Sequence, residues 1–403
     1  MTESAQDLEA YPMVRQCPFD PPRALAALQA GEKVRRVRLW DGSAPWLVTG
    51  YDDVRAVLSD PRISSDTDRP GFPHFSEGSE ARRRTAKTFI NMDGREHDAK
   101  RRLLTRYFTV KRTAAMRPQI QALVDGLVDE LLAGPKPVDL VEALALPVPS
   151  LVICDLMGVP YTERDLFHRM SRTMISQSST PEQAVGAMEA MFDFLDRMVS
   201  LKDDEPRDDL ISNLVVEQLR PGLLSRAELV SMLQLLLTAG HETTANMIAL
   251  GTLALLRHPE VLDEVRSTDD PELIANTVEE LLRWLNVVHT GRRRVALADL
   301  ELVGEQIKAG EGVIAAHDIA NRDPAAFDDP DRLDIHRKAR HHIAFAYGVH
   351  QCLGQSLARV ELQVVYGTLY RRVPTLALAT DFDAIRFKAS NIVYGVEELP
   401  VTW

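Results

Sequence analysis

From Asp93 to about Arg283 the apolar residues recur at spacings of three and four, with polar residues between them. That period is the mark of amphipathic helices. It predicts helices over 95–108, 113–132, 140–157, 161–177, 181–201 and 208–219. The longest starts at Ser225, where Ser225 and Glu228 form a capping box, and stops before His258-Pro259. Another covers 271–285, with Pro271 in a tolerated first-turn position. Ahead of this region, 37–49 reads as a small hairpin turning at Asp41-Gly42, followed by a short helix over 51–58. A polar stretch over 60–88 carries Pro61, Pro70 and Pro73. After Leu285 the pattern becomes strand-like over 293–303 and 312–316. A last strong helix runs from Cys352 or Leu353 to Arg372, and short strands close the chain. The expectation is one domain over 1–403, mainly α with small β-sheets, behind a short flexible N-terminus of about 1–12.

Composition narrows the function classes. The net charge of −12 disfavours a nucleic-acid surface. The most apolar stretch, 233–256, is interrupted by Gly240, His241, Glu242 and threonines, so no membrane span is expected. Three cysteines, Cys17, Cys154 and Cys352, make no disulfide framework and fit a reducing cytoplasm. Cys154, inside Leu151-Val152-Ile153-Cys154, reads as a small buried hydrophobe.

Cys352 is different. Gly348 and Gly354 flank it at −4 and +2, and the pattern places it where a helix begins. Glycines allow backbone to approach a bulky planar ligand, and a helix N-terminus favours a thiolate. Taken alone, the loop leaves both a functional thiolate and an inert buried thiol open.

The segment Phe345-Ala346-Tyr347-Gly348-Val349-His350-Gln351-Cys352-Leu353-Gly354 resembles the haem-binding loop of the cytochrome P450 family at each fixed position of that loop. The resemblance implies that Cys352 is the axial ligand of the iron. It also implies the P450 fold, with the haem between the long oxygen-side helix and the helix after the cysteine loop. Phe345, Gly348, His350 and Gly354 are then cofactor-binding residues.

Three further features occur in the family's order. Ala239-Gly240-His241-Glu242-Thr243-Thr244 sits near the middle of the long helix. Gly240 weakens a helix interior, and a Thr243 hydroxyl bonding back one turn can bend it. By resemblance this is the oxygen-activation motif, with Thr243 the hydroxyl, Glu242 the acid, and Ala239 and Gly240 against the cofactor. Glu280 and Arg283, by spacing an ordinary helical pair, match the family's Glu-x-x-Arg element, which implies a buried ion pair holding the ligand loop. His97, Arg101 and Arg294, with His350, fall on positions that hold the haem propionates. The likeness extends from about Cys17 to Trp403 and includes Ala320-Asn321-Arg322-Asp323-Pro324. It points to actinobacterial members acting on secondary metabolites and foreign compounds.

The chain also departs from the family's pattern. Ala346 replaces a usual glycine, Gly94-Arg95 stands where Pro-Pro is common, and the customary proline after Arg283 gives way to Leu285-Asn286-Val287-Val288. Phe72, Phe75, Leu236, Val287 and Val288 are candidate pocket residues.

The resemblance implies insertion of one atom of O2 into a C–H bond, a hydroxylation or epoxidation, of an apolar medium-to-large molecule. A polyketide, macrolide, terpenoid or sterol-like compound fits. The cofactor is haem b, iron protoporphyrin IX. No Gly-x-Gly-x-x-Gly follows a strand, so electrons from NAD(P)H must arrive through partners, a ferredoxin and its reductase. Arg82-Arg83-Arg84 could join a partner patch or meet an anionic substrate, or simply be a solvated loop. The segment 161–201 is expected to gate access, and a monomer is expected. The rival readings are a peroxide-driven peroxygenase, against which the Glu242–Thr243 pair argues, and a haem sensor or carrier without catalysis.

Overall fold

Strands from distant parts of the sequence meet in one sheet. The structure is a computed structural model describing residues 8–77, 80, 87–160, 163, 170, 181–389 and 391–403. Its strands, among the described residues, are β1 (Val34–Arg36), β2 (Trp46–Val48), β3 (Ile63–Ser64), β4 (Val138–Asp139), β5 (Arg292–Ala296), β6 (Leu300–Leu302), β7 (Glu305–Ile307), β8 (Gly312–Ala315), β9 (Ala377–Leu378) and β10 (Pro400–Thr402). The chain divides into two compact units.

One unit comprises Met1–Arg101, Leu250–Gln355 and Asp381–Glu397. Its sheet has the order β1-β2-β8-β5-β3, with β2 and β8 parallel and the other pairs antiparallel. The register sets Arg292 opposite Ala315 and Arg294 opposite Val313. Residues paired in register share a sheet face. Val313, Ala315 and Ala296 on that face pack with Val57, Ile63 and Ala346 in one buried cluster. Ile314 on the opposite face packs with Tyr11, Leu25, Val37 and Leu47. The sheet is thus covered by apolar side chains on both faces. The expected hairpin is present with an earlier start: its first strand, β1, lies ahead of the predicted start at Val37 and pairs with β2, and Gly42 sits in the turn at φ 82. Residues 8–12, expected to be flexible, are tied down: Tyr11 N–H donates to the Arg38 carbonyl, and Leu8 and Tyr11 are buried. Residues 1–7 lie outside the described residues.

The second unit comprises Arg102–Ala249, Ser356–Thr380 and Glu398–Trp403. Its small sheet, β4-β10-β9, is fully antiparallel. The helix Arg117–Ala133 buries Ile120, Val124, Val128 and Leu131, one stripe at helical spacing. The helix Pro147–Met157 ends at Gly158 (φ 78), where a Cβ would lie 2.2 Å from the Asp209 carboxyl carbon. Asp209 caps the helix Leu210–Leu214 and pairs with the buried Lys202 at 2.6 Å.

Several predicted bounds shift for visible reasons. The stretch 113–132 is two helices, Val110–Ala115 and Arg117–Ala133, because Pro118 restarts the chain where an N–H is dispensable. The stretch 140–157 opens with a π turn, Val141–Ala145, before Pro147 starts a regular helix. The strand-like run 293–303 is β5 and β6. Pro259–Ser267 is an additional helix. The helix Arg226–Arg257 is continuous, and its capping box is formed: Ser225 N–H donates to Glu228 Oε2 at 2.8 Å, and Glu228 N–H returns to Ser225 Oγ at 3.3 Å. Apart from Glu163 and Met170, the stretch 161–177 expected to be a helix lies outside the described residues, as do Arg82, Arg83 and Arg84. Among the described residues no helix is long and apolar enough to cross a membrane.

Candidate active site

The cysteine loop is closed by its own backbone. Cys352 N–H donates to the Phe345 carbonyl at 2.9 Å, and Gln351 N–H to that of Gly348 at 3.0 Å. Cys352 lies three residues ahead of the helix Gln355–Arg372, so it precedes that helix rather than standing in its first turn as the pattern suggested. Gly348 adopts φ 73, and a Cβ there would sit 2.5 Å from the carbonyl oxygen of Leu58. Only glycine satisfies both conditions. Ala346 adopts φ 59 and is buried, so the residue that departs from the family pattern occupies the left-handed region. Gly354 has neither a positive φ nor a neighbour that a Cβ would meet. Phe345 is half-buried, with its ring centroid 5.9 Å from that of His342.

A buried polar frame holds the segment that leads into the loop. Glu280 and Arg283 form the expected ion pair, fully buried, at 2.8 Å. Arg283 Nη1 also donates to the carbonyls of Asn321 and Pro330. Asn321 Oδ1 in turn accepts Ile343 N–H at 2.8 Å. Beside this frame, His342 Nε2 lies 3.0 Å from Glu279 Oε2, both side chains being buried.

The four predicted propionate groups fall in the same unit as Cys352. The rings of His97 and His350 lie 4.3 Å apart. His97 Nδ1 is 3.0 Å from Asp98, while its Nε2 is buried without a hydrogen-bonding partner among the described residues. His350 Nε2 is 3.1 Å from Ser65 Oγ, while its Nδ1 is likewise buried without one. Burial would raise the Asp93 carboxyl, but hydrogen bonds from His350, Ser64 and Ser65 outweigh it and hold the group well below the usual carboxylate range. Arg101 donates to the carbonyl of Gln351, next to the cysteine, at 2.6 Å. Arg294 is buried and held down to about 10, chiefly by burial and then by the like charge of Arg292.

This donor set fits a dianionic cofactor. Buried guanidinium groups and orphaned ring nitrogens are costly unless anionic acceptors complete them. Two propionates would supply such acceptors, and the thiol on the adjacent glycine-bearing loop is of a kind that can ligate iron. Asp93, Ser65 and Arg292 were not anticipated. Alternation along Arg292-Arg293-Arg294 could have placed Arg292 on the face of Arg294.

The other predicted group lies on the helix Arg226–Arg257. Thr243 Oγ1 donates to the Ala239 carbonyl at 2.8 Å, the expected bond one turn back. Asn246 Nδ2 does the same to Glu242 at 2.8 Å. Glu242 and Thr243 are half-buried, Ala239 is exposed, and Leu236 is buried. A Cβ on Gly240 would meet only Ile153, at 3.7 Å, so glycine is not enforced there by packing.

The candidate pocket residues separate. Val287 and Val288 are buried beside the C-terminal segment: Val288 bridges Val393, and the Val287 carbonyl accepts Tyr394 N–H. Phe75 packs against the cluster of Tyr11, Leu25 and Val37, with Arg293 stacked 4.9 Å from its ring centre. Phe72 is buried, under the same guanidinium at 5.5 Å.

Comparison with known proteins agrees with this reading. The family model for cytochrome P450 matches residues 178–373. The cytochrome P450 GfsF of Streptomyces halstedii is 51% identical over 405 residues, covering 100% of this chain and 98% of the relative. The crystal structure of GfsF superposes with a TM-score of 0.95 over 98% of this chain and 100% of that one. Pentalenic acid synthase of Streptomyces avermitilis is 48% identical over 406 residues, with both chains fully covered. The mycinamicin VIII C21 methyl hydroxylase of Micromonospora griseorubida, solved with mycinamicin VIII bound, is 41% identical with a TM-score of 0.90, covering 98% of this chain and 100% of that one. The chain belongs to the cytochrome P450 family, and with it to the haem-dependent monooxygenases that act on a small molecule and draw electrons from a redox partner.

Proposed function

We propose that this monooxygenase hydroxylates or epoxidises an apolar, medium-to-large secondary metabolite, and that residues 1–403 work as one functional domain. The observation that carries the site assignment is the pairing of His97 and His350, whose buried unpartnered nitrogens await anionic acceptors next to the cysteine loop. When bound, the haem supplies O2 binding and the oxidising power for C–H attack.

The chain's own residues do the rest. Cys352 would ligate the iron, held in place by its N–H bond to the Phe345 carbonyl and by the approach of Gly348 to Leu58. His97, Arg101, Arg294 and His350 would hold the propionates, with Asp93 Oδ1 3.9 Å from His350 Nε2 to steady that ring. Phe345, Gly348 and Gly354 shape the loop side, while Ala239 and Gly240 keep side-chain bulk off one helix face. Thr243 holds a proton at Oγ1, and Glu242 replenishes it, the usual division between a positioned hydroxyl and an acid. Val287 and Val288 are proposed apolar pocket residues, and Leu236 is proposed as one on the helix Arg226–Arg257. Phe72 and Phe75 belong to packing first, through Arg293 and the Tyr11 cluster.

The substrate class is supported by relatives named for pentalenic acid and for mycinamicin VIII. A ferredoxin with its NAD(P)H-dependent reductase is the proposed donor, in a cytoplasmic setting consistent with three free cysteines among 403 residues, and a monomer is the proposed working form. The test is the spectrum of the reduced, carbon monoxide-bound protein. A strongly red-shifted Soret band is expected; a band typical of histidine ligation, or absence of haem, overturns the Cys352 assignment.

A further inference from the structure

Arg292 has no role in the scheme above. It lies on β5 two residues before Arg294, so both guanidinium groups leave the same face of the sheet, about 7 Å apart along the strand. That is the face on which Ala346 of the cysteine loop packs. No described carboxylate pairs with Arg292, and the group whose charge favours its protonation is Cys352. Burial pulls the guanidinium below its usual range. Arg294 feels it as a like charge, as does the fully buried His317. Two like charges side by side, Arg294 buried and Arg292 half-buried, need separate anions.

Arg294 occupies the propionate position, and Arg292 is displaced from it towards residues 287–290. In that stretch Val287 and Val288 are buried, and the buried Thr290 hydroxyl has no hydrogen-bonding partner. An apolar stretch a few residues along the chain from a cation with no carboxylate partner among the described residues is chemistry suited to an amphipathic acid.

We propose that Arg292 recognises a carboxylate on the substrate, making the enzyme selective for apolar acids over neutral analogues of the same skeleton. The proposal rests on the haem-site reading, because it places Arg292 next to the propionate-binding Arg294.

The experiment uses the haem-loaded protein and matched probes: dodecanoic, hexadecanoic and abietic acids, each against its methyl ester. Binding is followed by the spin-state shift and by calorimetry. In the wild type an acid should bind about tenfold or more tighter than its ester, the scale of one charge-assisted hydrogen bond. Arg292→Gln should abolish that preference, and Arg292→Lys should retain part of it, both with normal haem content. Equal binding of acid and ester, failure of every acid to bind, or a preference that survives Arg292→Gln overturns the proposal. So does loss of haem from Arg292→Gln when the wild type shows no acid preference, which would assign Arg292 to the propionates. Haem content and the carbon monoxide spectrum of the same wild-type preparation report separately on the haem site.

Discussion

Arg283 places Nε and Nη2 on the two carboxylate oxygens of Glu280, each at 2.8 Å, with both side chains fully buried. The pair is a junction rather than an isolated ion pair. Glu280 also receives Asp334 N–H and Arg337 Nε, while Arg283 reaches the carbonyls of Asn321, Pro330 and Arg332. Removing one partner leaves a buried charge and several unpaired carbonyls, a loss on the order of 3–5 kcal/mol. Lysine cannot replace the planar fork. Arg283→Ala and Arg283→Lys should therefore both purify with little haem and a lowered Tm. Full haem occupancy in Arg283→Lys would show that the fork is dispensable.

Neighbouring positions in the cysteine loop should respond in opposite ways. Ala346 at φ 59 carries left-handed strain of about 1–2 kcal/mol, while its buried methyl is worth about 0.8 kcal/mol and glycine adds chain entropy to lose. These terms offset, so Ala346→Gly should change stability by less than about 1 kcal/mol. Gly348→Ala meets both a positive φ and the Leu58 carbonyl at 2.5 Å. It should displace the loop and lose haem. Thermal unfolding and the haem-to-protein ratio of the two variants decide the matter, and an intact Gly348→Ala loop would refute the close approach.

The parts legible in the sequence were those that local chemistry determines. Asp270 and Pro271 start a helix at the predicted residue, and Ser225–Glu228 close a capping box as written. Gly348 needed only its spacing from Cys352 to be singled out, and Ala346 already stood out as a departure. What escaped depends on contacts distant in sequence. Strands of two or three residues are too short for alternation to register, so β3 and β4 were invisible. Asp93 bonds to Ser64 and Ser65 across 29 and 28 residues, and His350 joins them only when the far part of the chain folds back. Arg292 was legible through alternation as a face-mate of Arg294, but what that face packs against came only from the sheet register.

Glu361 gives a pH dependence opposite to that of most carboxylates. It is buried on the helix Gln355–Arg372, with Oε2 lacking a hydrogen-bonding partner, and burial pushes its carboxyl up to about 8. Between the ordinary 4.5 and about 8 the folded state holds a proton that the unfolded state has released. Stability therefore falls as pH rises through that window, by an amount on the order of a few kcal/mol. Glu361→Gln removes the ionisation while keeping the shape. Its Tm should match or exceed that of the wild type near pH 5 and exceed it clearly at pH 8. Equal pH slopes for the two proteins would mean that the carboxyl is solvated or paired in solution.

Thr243 allows a functional role to be separated from a structural one. Its hydroxyl bonds back to the Ala239 carbonyl within a continuous helix, so it contributes little that alanine, the better helix former, would not replace. Thr243→Ala should consequently be as stable as the wild type and bind substrate with similar affinity. If the hydroxyl positions a proton, Thr243→Ala should still consume NAD(P)H and O2 but form about tenfold less product per electron pair, with peroxide making up the balance. Thr243→Ser should restore coupling, because it returns the donor without the methyl group. Unchanged coupling in Thr243→Ala, measured as product formed against NAD(P)H oxidised, would remove Thr243 from the proton path and leave Glu242 to be tested alone.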